Sequence, residues 1–182
     1  MHWVINRAKE ILSAPRAAWE QIKTEPLSGP HILWRYVAPM AIVPAAAFYL
    51  RFFFGKGRIW VHFFSTAVYF LLCLALAPVG AHVLAVIGRK LAVEGESIDF
   101  QKLVAFSLTP AFLGGAFLLL PWLSGLTFLI AFYSLYLLYV GIPVLVRCPD
   151  EGALTFSVAS MAVLYVLFVI AYAIPRTMMS LF

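Results

Sequence analysis

An all-α polytopic membrane protein, a bundle of five transmembrane helices preceded by an amphipathic interfacial helix, is the fold class this sequence predicts. Three observations predict it: five apolar runs long enough to cross a bilayer, turns rich in proline and glycine between them, and charges held mostly in the gaps. Of 182 residues, 64% are hydrophobic and 12% charged, and the mean hydropathy is +0.96, far from a water-soluble domain. Thirteen basic and eight acidic residues are too few to clothe a soluble surface, so most of the exterior faces hydrocarbon. The net charge of +5 is scattered among the gaps rather than gathered on one solvated face. That pattern argues against nucleic acid and suits anionic headgroups, so membrane lipids are the expected partners.

The N-terminal region, residues 1–30, is expected to form an interfacial segment and a lead-in loop. Val4, Ala8, Ile11, Leu12, Pro15, Trp19 and Ile22 recur at spacings of three and four, with Arg7, Lys9, Glu10, Arg16, Glu20 and Lys23 between them. This is an amphipathic helix too charged to span, broken near Ser13-Ala14-Pro15. Trp3, Val4, Ile11, Arg16 and Trp19 are its expected membrane-interface residues. Charges run throughout Met1 to Thr24 without an apolar core, so no cleavable signal is expected. Thr24 to Pro30 collects turn formers and leads to the bilayer.

Residues 31–182 supply the spans, at about 33–54, 59–87, 103–120, 126–146 and 153–174. Pro39 and Pro44 are expected to kink the first. The polar turn Gly55-Lys56-Gly57-Arg58 leads to the second, roughly 43 Å long at 1.5 Å per residue and interrupted by Pro78 and Gly80. Gly88 to Lys102 reads as a charged loop. The third span holds Pro110 and Gly114-Gly115, and Pro121 to Gly125 turns it into the fourth. A re-entrant hairpin at Pro110 or Pro121 would instead leave four crossings and move the C-terminus. The charged turn Arg147 to Glu151 precedes the fifth span, and Pro175-Arg176 follows it.

With five crossings, placing the N-terminus in the cytoplasm puts Arg7, Lys9, Arg16, Lys23, Arg35, Arg89, Lys90, Lys102 and Arg147 inside, against Arg51, Lys56, Arg58 and Arg176 outside. The positive-inside rule favours that orientation, with the C-terminus periplasmic or extracellular.

Little in the chain points to catalysis. Cys73 and Cys148 form no CxxC pair, so neither a disulfide framework nor a metal or cofactor site is expected. His62 and His82, twenty residues apart, should lie near opposite ends of one helix. None of the eight acidic residues falls within these spans, which weakens a proton- or sodium-coupled carrier, although carbonyls freed at Pro44, Pro78, Pro110 or Gly114-Gly115 can coordinate sodium. Tyr133, Tyr136 and Tyr139 recur every third residue and suggest an intramembrane polar face. Pro39, Pro78, Pro110, Gly141 and Pro143 are the expected helix-shaping positions. No GxSxG, HExxH, P-loop or paired-carboxylate constellation is present.

The order of parts adds a further reading. Pro15 and Trp19 in the amphipathic segment, Pro26-Leu27-Ser28-Gly29-Pro30, Pro39 in the first span, the run Tyr133-Ser134-Leu135-Tyr136-Leu137-Leu138-Tyr139-Val140-Gly141-Ile142-Pro143, and Gly152-Ala153-Leu154 together resemble the Yip1 domain family, in particular its short bacterial members. The resemblance implies a five-span protein of the bacterial inner membrane with a cytoplasmic N-terminus. Eukaryotic members are linked to Rab-type GTPases and vesicle traffic; this chain has only a short segment before its first span, and no family site residues carry over. The expected role is a non-enzymatic organiser of lipids or partner proteins, acting as a homo-oligomer or beside another membrane protein. A small oligomeric transporter or channel is the alternative.

Overall fold

A computed structural model describes residues 2–51 and 58–181. Helices α1 (His2–Ser13) and α2 (Pro15–Thr24) precede five spans. The first runs over Gly29–Leu50, through α3 (Gly29–Ile32), a π-helical segment Leu33–Val37 and α4 (Ala38–Leu50). The second is α5 (Ile59–Lys90), and the third comprises α6 (Ser97–Ser107), α7 (Thr109–Gly114) and a 3-10 turn Gly115–Leu119. A 3-10 turn at Pro121–Leu123 leads into α8 (Ser124–Leu145), and α9 (Asp150–Leu181) is the fifth. All five are long and apolar enough to cross a membrane. The turn expected at Gly55 to Gly57 lies outside the described residues.

The span limits differ from expectation where local chemistry overrides hydropathy. The third span starts at Ser97, because Glu96 and Asp99 form a reciprocal capping box that opens α6. Asp99 and Lys102 therefore belong to a helix, not to a loop. The first starts at Gly29, four residues before the expected limit, with Pro30 pre-set for a helix's first turn. Pro175 does not end the fifth span; α9 continues through it to Leu181, and Arg176 donates to the Tyr172 hydroxyl at 3.1 Å. Just before Pro39 the helix loosens into π spacing, with the Ala38 N–H bonding back to Leu33. Pro39 has no N–H to offer Arg35, which is the local cause of that bulge.

The third span is the centre of the bundle. Every residue from Lys102 to Phe112 is buried, whereas α5 and α9 expose Leu71, Val79, Val158, Val166 and Ile170 to the surroundings. The charged loops meet at one end: Glu94 and Arg147 exchange two backbone hydrogen bonds of 2.9 Å. Lys102 Nζ donates to the carbonyls of Lys23 and Glu25 at 3.2 and 2.8 Å, bringing the end of α2 to that same region.

Candidate functional site

The chain folds back at Ala14, and α1 and α2 form an antiparallel hairpin. Arg7, buried despite its charge, donates to Gln21 Oε1 at 3.1 Å, pairs with Glu10 at 2.9 Å and bonds Glu25. A charge so enclosed needs partners of this kind, which explains why an Arg sits inside the turn. Sequence spacing had placed Arg7 on the polar face.

The apolar stripe is not turned to lipid. Val4, Ala8, Ile11, Ala18, Trp19 and Ile22 are buried against the bundle, and Trp19 is fully enclosed. Its Nε1 donates to the Leu137 carbonyl at 3.1 Å, its ring stands edge-on to Phe106, and it fills the space left open at Gly141. A β-carbon at Gly141 would stand 2.6 Å from the Trp19 ring, so Gly141 admits a neighbour rather than bending its helix. Trp3, half-buried, meets His31 and Tyr36 edge-on. Tyr36 in turn contacts Phe106 and bonds Thr109 at 2.6 Å. Of the five expected interface residues, Arg16 alone is exposed. An amphipathic period reports an apolar partner on one side without saying whether that partner is lipid or protein; here it is protein, and the outward face carries Lys9, Ser13, Arg16, Glu20 and Lys23.

The tyrosines do not form one interior seam. Tyr133 is half-buried and its hydroxyl donates to the Leu12 carbonyl at 3.1 Å, fixing the hairpin apex to α8. Tyr136 and Tyr139 are 49% and 55% exposed and look outward. A spacing of three advances about 300° around a helix, which spreads the rings over a broad face, and only the first of them falls on the hairpin.

The Yip1 domain profile matches residues 9–171. The chain belongs to the Yip1 domain family. No curated protein and no solved structure matches it. The matched region takes in α2 and the end of α1 from Lys9 as well as most of the five spans, so the hairpin contacts with Phe106, Tyr133 and Leu137 lie within the Yip1 domain.

The Yip1 domain also accommodates a break in its central helix. Pro110 opens α7 after the interruption at Leu108, and the Ala111 N–H is taken by Ser134 Oγ at 3.2 Å. Thr127 Oγ1 donates to the Gly114 carbonyl at 3.0 Å. In hydrocarbon each such group needs a partner, and α8 supplies both. Gly114 and Gly115 allow close approach: β-carbons there would stand 2.9 Å from Ile130 and 2.3 Å from Pro44. Pro78 is exposed on α5, and Pro143 lies inside α8 near its charged end. His62 is buried and His82 exposed.

Beside the hairpin, α2, the end of α8 and the start of α9 enclose a groove of about 780 Å³. Arg16, Glu20, Tyr139, Pro143, Arg147 and Asp150 are among its walls. Lys102, which ties down the end of α2, and Ser134 and Thr127, which satisfy the broken third span, were not singled out from sequence. The Glu96/Asp99 pair was the available signal for Lys102, since a capping box there puts Lys102 inside a helix flanked by Leu103 and Val104; Ser134 and Thr127 give no local signal.

Proposed function

We propose that this Yip1-domain protein is a non-enzymatic membrane organiser whose working surface is the docked α1–α2 hairpin, set in the cytoplasmic leaflet of a bacterial inner membrane. One observation carries this reading. The hairpin is fixed beside α8 between Tyr133 and Gly141, so charged Arg16 and Glu20 share one groove with exposed Tyr139 rather than standing beyond the helix ends. On that side the apolar height of α8, from Ser124 to Tyr136, is about 18 Å. Along α9 the exposed apolar residues run from Leu154 to Ile174, about 30 Å. A bundle with unequal apolar heights thins or tilts the lipid around it, since mismatch is relieved by bilayer deformation. The cationic outer face adds attraction to anionic headgroups.

The transporter reading drew on backbone carbonyls freed at Pro44, Pro78, Pro110 or Gly114-Gly115. Of these, the Phe106 carbonyl, which Pro110 leaves without its helical donor, accepts from the Thr109 hydroxyl at 2.6 Å, and the Gly114 carbonyl accepts from the Thr127 hydroxyl at 3.0 Å.

Electron cryomicroscopy of the protein in vesicles of defined composition tests the proposal. Wild-type protein should thin or bend the bilayer locally. A Lys9→Leu, Arg16→Leu, Glu20→Leu variant, altered only at exposed positions, should restore an even profile. Undistorted bilayers around the wild type would refute the role.

A further inference from the structure

The groove between α2, α8 and α9 has a charge pattern of its own. Arg16 and Glu20 stand on α2, while Arg147 and Asp150 stand where α8 gives way to α9. Two cations and two carboxylates therefore line one space, and all four side chains are exposed. Among the described residues none of the four makes a side-chain hydrogen bond or ion pair. Unlike Arg7, whose partners are intramolecular, these groups are available to a ligand. The remaining wall is apolar or aromatic, including Tyr139, Val140, Val144 and Leu154. Leu154 is 73% exposed and lies one turn beyond Asp150, so the change from charged to apolar lining follows the direction from headgroup to hydrocarbon. At about 780 Å³ the groove falls within the roughly 300–1,000 Å³ range of small-molecule sites.

We infer that this groove seats one phospholipid with a zwitterionic, primary-amine headgroup of the phosphatidylethanolamine type. The phosphate lies on Arg16 and Arg147, the ammonium donates to Glu20 and Asp150, and an acyl chain passes Tyr139 and Leu154 toward the bilayer. Guanidinium groups suit a phosphate through paired, charge-assisted hydrogen bonds. Ionised carboxylates only accept hydrogen bonds, so they require donors that a primary ammonium has and a quaternary choline lacks. The same carboxylates disfavour a lipid carrying net negative charge, which supplies discrimination by repulsion. The inference deepens the organiser role, resting on it only for placing the hairpin against lipid.

Native mass spectrometry of the full chain, released from nanodiscs holding equal amounts of phosphatidylethanolamine, phosphatidylglycerol and phosphatidylcholine with matched chains, tests it. One ethanolamine lipid should be retained at least tenfold over the other two. Arg16→Ala with Arg147→Ala should lower that retention at least tenfold. Glu20→Gln with Asp150→Asn, conservative changes at exposed positions, should turn the preference toward phosphatidylglycerol. Equal retention of the three lipids, or charge variants that bind like the wild type, would overturn the assignment. Bilayer shape, measured separately, distinguishes the failures: distortion without ethanolamine selectivity removes the groove's ligand and leaves the organiser, and selectivity without distortion does the reverse.

Discussion

The Trp19 indole N–H meets the Leu137 carbonyl at 3.1 Å directly beside Gly141. This contact converts an amphipathic segment into part of the bundle: the tryptophan satisfies its one donor, buries its ring against Phe106 and occupies space that any larger residue at 141 would fill.

Gly141→Ala should loosen the hairpin. The added carbon would stand 2.6 Å from Trp19 and 2.8 Å from Leu103, and overpacking of this kind costs about 1–3 kcal/mol. That outweighs the gain in helix propensity, at most about 1 kcal/mol. Faster proteolytic cleavage within α1–α2 and a lower Tm in detergent are expected; wild-type cleavage would show that Trp19 is not held there.

Lys102→Met keeps the length of the side chain but removes the donor shared by Lys23 and Glu25. Leaving partly buried carbonyls without their partner should cost about 1–3 kcal/mol. Hydrogen exchange should rise in the last turn of α2, while the far ends of α5 and α9 stay protected.

Ser134→Ala and Thr127→Val each strand one backbone group of the broken third span. Interhelical hydrogen bonds in membranes are worth about 0.6 kcal/mol on average and up to roughly 1.7. Each variant should lose stability within that range in reversible unfolding, and a neutral double variant would mean that other groups satisfy the break.

Ala92→Gly should stabilise the protein. Ala92 has φ 53°, at the end of α5 where the Val93 N–H closes onto Gly88 at 2.9 Å. Glycine adopts this left-handed cap without the steric penalty of alanine, about 1 kcal/mol. Unfolding in denaturant should show a gain of about 0.5–1 kcal/mol.

Cys148 reports orientation. It lies between α8 and α9, and burial raises its thiol pKa above that of a free cysteine. The thiolate fraction, and with it maleimide labelling, should climb at higher pH than for a free cysteine. Labelling by an impermeant maleimide from the cytoplasmic side alone is expected; labelling from the opposite side would invert the topology inferred from Lys and Arg.

The five spans were legible because hydrocarbon leaves so few solutions: long apolar runs between charged turns have to be helices that cross. Their limits were less legible at Ser97 and Pro175, where a capping box and a proline tolerated within a helix decided the boundary rather than hydropathy. The hairpin shows what periodicity omits. Val4, Ile11 and Trp19 declare an apolar face, but the surface that receives it is assembled from Phe106, Leu137 and Gly141, up to 122 residues away from Trp19 in sequence. The tyrosine triplet was visible as a pattern, yet only Tyr133 has the hairpin as its neighbour, and Tyr136 and Tyr139 turn outward. Lys102 was read as a loop charge because nothing adjacent to it reveals the carbonyls of Lys23 and Glu25.

Electron paramagnetic resonance between spin labels at exposed Lys9 and Leu154, in full-length protein within a lipid bilayer, tests the docked hairpin most directly. The account predicts one narrow distance distribution that does not move with lipid composition, and broadens in Gly141→Ala. A broad wild-type distribution that follows the lipid would mean that α1–α2 floats at the membrane surface, and would contradict it.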